Sequence, residues 1–283
     1  MTPFVSFVFP VAHDAVALEL LRRSVHALRA QTAPPALFEV VVAVDGGPAV
    51  DVGLHPFTVR VVTSPRTAGN EHLPHRNHAR NAGCRAARGE YLWVLDGDMI
   101  ADPLAVEHLL AITVGMRSTK PRVVSPCFAE IACTPAEWLA TGDVGAYRVR
   151  RKVVSGQLER HAPGPPASVH LPMLVEGFPA VPRWLFEAIG GFDERYLGWG
   201  GNKIDLCRRL RLLDLDEGLL EIHLLTSVLF RHQPHDRDPF HFHEELRATN
   251  TAMFEAMQNE ARAGAPWWRA QVEAVRRASR AAA

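Results

Sequence analysis

The chain has 283 residues, enough for one large α/β domain or two small ones. Hydrophobic residues make up 47% and charged residues 22%, which fits a packed core and excludes global disorder. Lys plus Arg and Asp plus Glu both number 31, so there is no global basic field of the kind that holds nucleic acid. The four cysteines, Cys84, Cys127, Cys133 and Cys207, are scattered without a CxxC pair. They read as reduced thiols rather than a disulfide framework or a zinc site.

The N-terminal apolar run stops at Pro10 and has no basic flank, too short for a signal peptide or a membrane span. No other stretch reaches membrane length, so the expectation is a cytoplasmic protein with no transmembrane segment. Abundant Ala, Arg and Pro read as a high-GC bacterial coding bias.

In chain order, FVSFVF (Phe4 to Phe9) reads as a buried strand. Val16, Leu20, Leu21, Val25 and Leu28 then recur at helical spacing, with Asp14 as cap and Pro34-Pro35 beyond the end. FEVVVAVDGG predicts a strand over 38–44 running into Asp45, and TVRVVTS a third over 58–64. HRNHARNAGCRAARG predicts a helix stopped by Gly89. YLWVLDGDM is a fourth strand ending in acids, and DPLAVEHLLAITVGM opens a helix at Asp-Pro.

RVVSPCF predicts another strand. The segment from about Val144 to Pro172 is basic, then rich in Gly and Pro, and reads as a surface excursion. A short strand and a helix at PRWLFEAIG follow, then GGFDERYLGWGG, a helix over about 203–213, and a strand EIHLLTSVLFRH ending in His232. The tail from Phe242 to Ala283 is helical by composition, broken at Gly264-Ala265-Pro266. Strand–helix alternation with near-continuous apolar strands predicts a mostly parallel sheet flanked by helices, with a helical C-terminal extension. The expected division is a domain over 1–240, with halves of about 1–115 and 116–240, and an extension over 241–283.

Ligands of such sheets bind beyond the carboxyl ends of the strands, where Asp45, Asp96 and Asp98 fall. Two carboxylates one residue apart at the end of a buried strand are costly unless a cation lies between them. A divalent ion of the Mg²⁺ or Mn²⁺ kind is the natural partner, since hard cations take carboxylate and phosphate oxygens. A solvated Asp-Gly turn is the plainer reading of the same residues.

Taken in order, FVFPV, LRAQTAPPALFEVVVAVDGG, HARNAGCRAARGEYLWVLDGDM and GGFDERYLGWGG resemble the blocks of family 2 glycosyltransferases with the GT-A, Rossmann-like fold. The GWGG block is similar to that of galactosyltransferase and chondroitin-polymerase-like enzymes. The resemblance implies a nucleotide-sugar donor, UDP by default, bound by Pro10, Asp45, Arg80, Asp96, Gly97 and Asp98. It implies a metal, Mn²⁺ rather than Mg²⁺, on Asp98, Asp96 and His232. It places Asp193, Glu194, Trp199 and Gly200 on the side of an acceptor that is a sugar, a peptide or a small molecule. His235, His241 and His243 are weaker candidates, and an HxH zinc site at His241 and His243 is disfavoured.

Relatives carry an acid pair directly after GWGG that activates the acceptor. Here those positions are Asn202 and Lys203, which leaves Asp205 as the candidate base of an inverting transfer. The alternatives are an acceptor needing little base help, a retaining course, or a nucleotide-sugar-binding pseudoenzyme without turnover. Lys203 would then favour an anionic acceptor or help a diphosphate leave. RVRRKVV (Arg148 to Val154) reads as a solvated face or as a lid over the donor. The C-terminal helices, with Trp267-Trp268 and Arg276-Arg277, offer a surface for an acceptor, a membrane surface or a second copy of the chain.

Overall fold

The computed structural model describes residues 2–115, 118–141, 143, 149–151, 178–198, 202–236 and 243–282, with backbone alone for 149–151. In the N-terminal half, β1 (Val5–Ala12), β2 (Phe38–Asp45) and β3 (Thr58–Ser64) pair in parallel, and β4 (Tyr91–Val94) joins the other edge of β1. β1 and β2 have neighbours on both edges and helices on both faces, which is why they read as unbroken apolar runs. The connections carry α1 (Ala15–Ala27) and α2 (Arg76–Ala86). Asp14 caps α1 as expected, its Oδ1 accepting from Ala17 N at 2.9 Å.

One acid interrupts the apolar run of β2. Glu39 is buried, accepts from Ser6 Oγ at 2.7 Å and pairs with Arg60 Nε of β3 at 3.0 Å, so its charge is compensated inside the sheet. Gly89 belongs to this network and corrects the sequence reading. Helix α2 ends at Ala86, with Ala87 extended at φ −68° and ψ 147°, before Gly89 is reached. A Cβ on Gly89 would lie 2.5 Å from Ser6 N. The residue is glycine because the chain crosses β1 there at backbone contact, and not as a helix stop.

The other half is mixed. After β5 (Met99–Ile100) and α3 (Ala105–Gly115) come β6 (Arg122–Ile131), α4 (Pro135–Thr141), β7 (Val149–Arg151), β8 (Ala180–Pro182) and α5 (Arg183–Ala188). α6 (Ile204–Leu215), β9 (Glu221–His232), α7 (Glu244–Arg262) and α8 (Pro266–Ala282) complete the chain. The strand order is β3-β2-β1-β4-β8-β6-β9-β5, with β7 on β6. β6 and β9 are parallel, whereas β8 runs against β4 and β6, β5 against β9 and β7 against β6. The antiparallel members β5, β7 and β8 are too short for a period of two to show in the sequence. Val149–Arg151 lies within the basic RVRRKVV stretch; the rest of that stretch, and the lid reading that rests on it, lies outside the described residues.

Alternate residues of β1 feed two cores. Phe7 and Phe9 pack with Leu21, Val25, Leu109, Trp93 and Phe230 on the face covered by α1 and α3. Val8 packs on the other face with Leu185, Leu210, Trp268, Val272 and Val275, so α8 contributes to that core. Each such side chain contributes about 1.5–3 kcal/mol when fully buried. No helix among the described residues is long and apolar enough to cross a membrane.

Candidate functional site

β1 pairs with β4 only as far as Val8, while its pairing with β2 continues to Ala12 opposite Asp45. Beyond Val8 the sheet splits, and a crevice opens at the carboxyl ends where the strand order reverses. Val8 O accepts from Leu95 N, so the even positions of β1 face β4. Pro10, two residues on, faces the side where β4 has ended, and its missing N–H is not needed there. The crevice encloses about 600 Å³ and is lined by Pro10, Asp45, Arg66, Asp96, Gly97 and Asp98, among others.

Asp45 is buried at its edge. Its carboxylate accepts from His75 N at 2.8 Å and pairs with Arg66 Nε at 3.2 Å, joining the end of β2 to the start of α2. Gly46 follows at φ +69°, where a Cβ would strike the Arg66 side chain. Asp45 therefore organises this edge of the crevice as well as opening a turn.

The two acids of the DGD turn face different partners. Asp96 Oδ1 lies 2.8 Å from Arg80 Nη2, and Asp96 Oδ2 lies 3.7 Å from Lys203 Nζ. Arg80 is buried, bonded to Asn77 Oδ1 at 2.9 Å and stacked over the Phe192 ring at 5.4 Å. Lys203 Nζ sits 3.4 Å from the centroid of the Phe178 ring. Burial opposes ionisation of Asp96, but Lys203 and Arg80 outweigh it and hold the carboxyl below its ordinary range.

Asp98 faces imidazoles instead. Its Oδ2 lies 2.9 Å from His235 Nε2 and 3.4 Å from His232 Nε2, and candidate ligand atoms of all three residues lie within 4.8 Å of one another. Asp98 Oδ1 is enclosed and has no hydrogen-bond partner among the described residues. Burial raises the Asp98 carboxyl, yet the two histidines hold it far below the carboxylate range. Burial lowers His232, but Asp98 outweighs it and the net shift is upward; the hydrogen bond to Asp98 lifts His235 to about 9.

The pairing of β5 with β9 brings this cluster together by setting Met99 opposite His232. Gln233 then locks it. The residue is fully buried, donates from its backbone N to Asp98 O at 2.9 Å, and bonds Ser24 Oγ, Leu20 O and Trp138 Nε1. The sequence reading passed over Gln233 and left His235 in the background. It also passed over α4, which supplies Trp138, although Thr134-Pro-Ala-Glu137 is a capping box with Pro at its first position: Thr134 N donates to Glu137 Oε2 at 2.8 Å and Glu137 N to Thr134 Oγ1 at 3.3 Å.

Asp205 is not brought to the crevice. It is buried in the first turn of α6, with Oδ2 held by Arg209 Nη2 at 2.6 Å. Arg209 also donates to Ile189 O and Gly191 O at 2.7 Å each, which pins the GGFDE turn where Gly190 and Gly191 adopt positive φ. Asp193 is bound by Arg195 at 2.6 Å, and Glu194 accepts from Asn81 Nδ2 at 2.9 Å. Asp193, Glu194 and Asp205 line a second cavity and none of them lines the crevice. Trp199, Gly200 and His241 lie outside the described residues, and His243 caps α7 by accepting from Leu246 N.

Residues 7–115 match the model of glycosyl transferase family 2, and residues 167–233 match that of the N-terminal domain of galactosyltransferase. Residues 7–115 thus carry the family 2 glycosyltransferase match, and the chain has the GT-A fold. It is 30% identical over 236 residues to validoxylamine A glucosyltransferase of Streptomyces hygroscopicus subsp. limoneus, covering 74% of this chain and 48% of that protein. The same enzyme of subsp. jinggangensis (strain 5008) is 29% identical over 235 residues, covering 74% and 51%. The chain thus spans about half the length of the curated relatives it matches. Among solved structures, residues 1–349 of S. aureus TarS in complex with UDP superpose at a TM-score of 0.53 and 15% identity, over 87% of this chain and 64% of that one. The mannosyltransferase PcManGT from Pyrobaculum calidifontis, in complex with GDP-Man and Mn²⁺, gives 0.54 and 16%, over 100% and 74%. The DGD turn, within the family 2 match, thus meets His232, within the galactosyltransferase match, and His235 beyond both.

Proposed function

We propose that the chain is a metal-dependent glycosyltransferase that moves a sugar from a nucleoside-diphosphate donor, UDP-linked first, to a hydroxyl or amine of a small acceptor. The observation that carries this reading is the clustering of Asp98 with His232 and His235, with Asp98 and His235 lining the crevice that also holds Asp45 and Asp96. The donor set fits a divalent cation: one carboxylate, two imidazoles and an enclosed Asp98 Oδ1 without a partner among the described residues. Imidazole ligands suit Mn²⁺ better than Mg²⁺. When bound, such an ion neutralises the charge that develops on a departing diphosphate.

The remaining roles belong to the chain itself. Asp45 and Arg66 form the edge suited to the nucleoside. Arg80 and Lys203 place two positive charges beside Asp96, next to where the diphosphate would lie, so Asp96 orients cations in this reading rather than ligating the metal. Residues 1–240 form the transferase unit, and the C-terminal helices complete its second core. The Streptomyces relatives, named for glucosyl transfer to validoxylamine A, support a sugar-like amine or polyol as acceptor.

We take the transfer to be inverting, with Asp205 as a positioning residue rather than the base, because its carboxylate is held by Arg209 away from the crevice. Asp205→Asn, which keeps one acceptor for Arg209, is then expected to lower the melting temperature while kcat stays within about tenfold of wild type, whereas loss of a general base removes about 10²–10⁴. A large fall in kcat at an unchanged melting temperature would restore Asp205 as the base. Incubation with UDP-, GDP- and dTDP-sugars and Mn²⁺, with release of nucleoside diphosphate measured, tests the proposal as a whole. Slow donor hydrolysis that EDTA stops and Mn²⁺ restores is the expected result. Tight donor binding without release, with any acceptor tried, would favour the pseudoenzyme reading, and absence of both sinks the proposal.

A further inference from the structure

The second cavity encloses about 750 Å³ and shares no lining residue with the crevice. Phe192 and the Asp205–Arg209 pair form part of its wall; Arg80 lies over the Phe192 ring and continues to Asp96. Met253 and Met257 of α7 and Trp267 of α8 give the cavity an apolar side. Trp267 is held in place without a ligand. Its Nε1 donates to Glu260 Oε2 at 2.8 Å, and its ring meets the buried Trp268 edge-on at 5.9 Å and 70°. Gln271 lies one turn further along α8, on the same face as Trp267.

Two lining residues carry an enclosed oxygen with no hydrogen-bond partner among the described residues, Asp205 Oδ1 and Gln271 Oε1. Asp205 is only 1% exposed, so its free oxygen is a costly feature unless something donates to it. Of the three lining arginines, Arg209 is committed to Asp205 and two carbonyls and Arg195 to Asp193, while Arg85 lies 3.6 Å from Glu194. The lining acids disfavour an anion. Asp205 Oδ1 and Gln271 Oε1 lack donors in a cavity that also holds a fixed aromatic plate, and its volume is within the ordinary range for small-ligand sites.

We propose that this cavity is a second binding site for a polyhydroxylated ring, a pyranose or cyclitol unit. Its apolar C–H face lies on Trp267, and its hydroxyls donate to Gln271 Oε1 and Asp205 Oδ1. The proposal does not rest on the transferase reading, because the cavity is separate from the crevice.

The test is a titration of the full chain with methyl α-D-glucoside and, separately, myo-inositol, without donor or metal. Tryptophan fluorescence and saturation-transfer NMR report binding. Saturable binding in the millimolar range is expected, typical of a small polar ligand with a few contacts. Gln271→Leu should weaken it at least about tenfold with no loss of thermal stability, since an unpartnered acceptor is all that is removed. Trp267→Ala should weaken it as much, and saturating UDP with Mn²⁺ should leave it unchanged. No saturation by about 100 mM of either ring, unchanged affinity in Gln271→Leu and Trp267→Ala, or displacement by UDP with Mn²⁺ would each overturn the proposal.

Discussion

Asp98→Asn is expected to lower Mn²⁺ affinity by at least about 100-fold, the upper end of what loss of an outer partner of a metal ligand already costs. Asp98 supplies the only carboxylate of a cluster whose other members are the imidazoles of His232 and His235. An amide keeps the shape and one acceptor oxygen but removes the charge that holds a divalent ion against two neutral nitrogens. Calorimetric titration of the apo chain with Mn²⁺ reads this without any turnover. Sugar transfer should fall with it, and excess Mn²⁺ should rescue it only in part. Asp96→Asn is the informative contrast. Asp96 already faces Arg80 at 2.8 Å and Lys203 at 3.7 Å, so its loss should leave Mn²⁺ affinity near wild type and appear as lower stability, with two cations left facing each other. Equal losses of Mn²⁺ binding in the two variants would show that the DGD acids act as one metal-binding pair, with no division of roles between them.

That division marks the limit of what the sequence conveys. Long buried strands announce themselves: burial on both faces leaves β1 and β2 with a nearly continuous hydrophobic record, and the part-exposed β3 and β9 still begin and end where their Val- and Leu-rich runs do. Asp45, Asp96, Asp98 and His232 are readable as a group because each ends a strand or lies within a few residues beyond its end. Their partners are not. Whether an acid of the DGD turn meets a metal ligand or a lysine depends on residues far along the chain, and on the two-residue strand β5, which has no sequence signature. Two signals are present in the sequence and are easily missed. Asp205 and Arg209 stand four apart on one helix, the spacing of an intrahelical ion pair, and that spacing by itself argues for a positioning role. Thr134 and Glu137 bracket Pro135 as a capping box, which marks the start of α4 and with it the burial of Trp138 beside Gln233.

Lys203 stands at one of the two positions where the family resemblance implies an acid, and replacing it tests what the lysine does. Lys203→Met removes the ammonium that lies 3.7 Å from Asp96 and over the Phe178 ring while keeping most of the side chain's bulk. Loss of a fixed charge placed where a leaving group develops charge costs about 10²–10³ in kcat, on the scale of a deleted oxyanion donor. The expected result is a fall of that order in kcat with a much smaller change in the affinity for UDP. Lys203→Glu puts an acid at one of the two positions where the resemblance to galactosyltransferase-like enzymes implies an acceptor-activating acid pair. If the lysine were only a lesion in a base-dependent site, this variant should exceed wild type. The geometry favours the reverse. A carboxylate at position 203 would face Asp96 across a gap now closed by opposite charge, with Arg80 alone left to compensate both acids. Lys203→Glu is therefore expected to be slower than Lys203→Met and less stable than it, and a gain in transfer rate would sink the assignment of Lys203 to the leaving-group side.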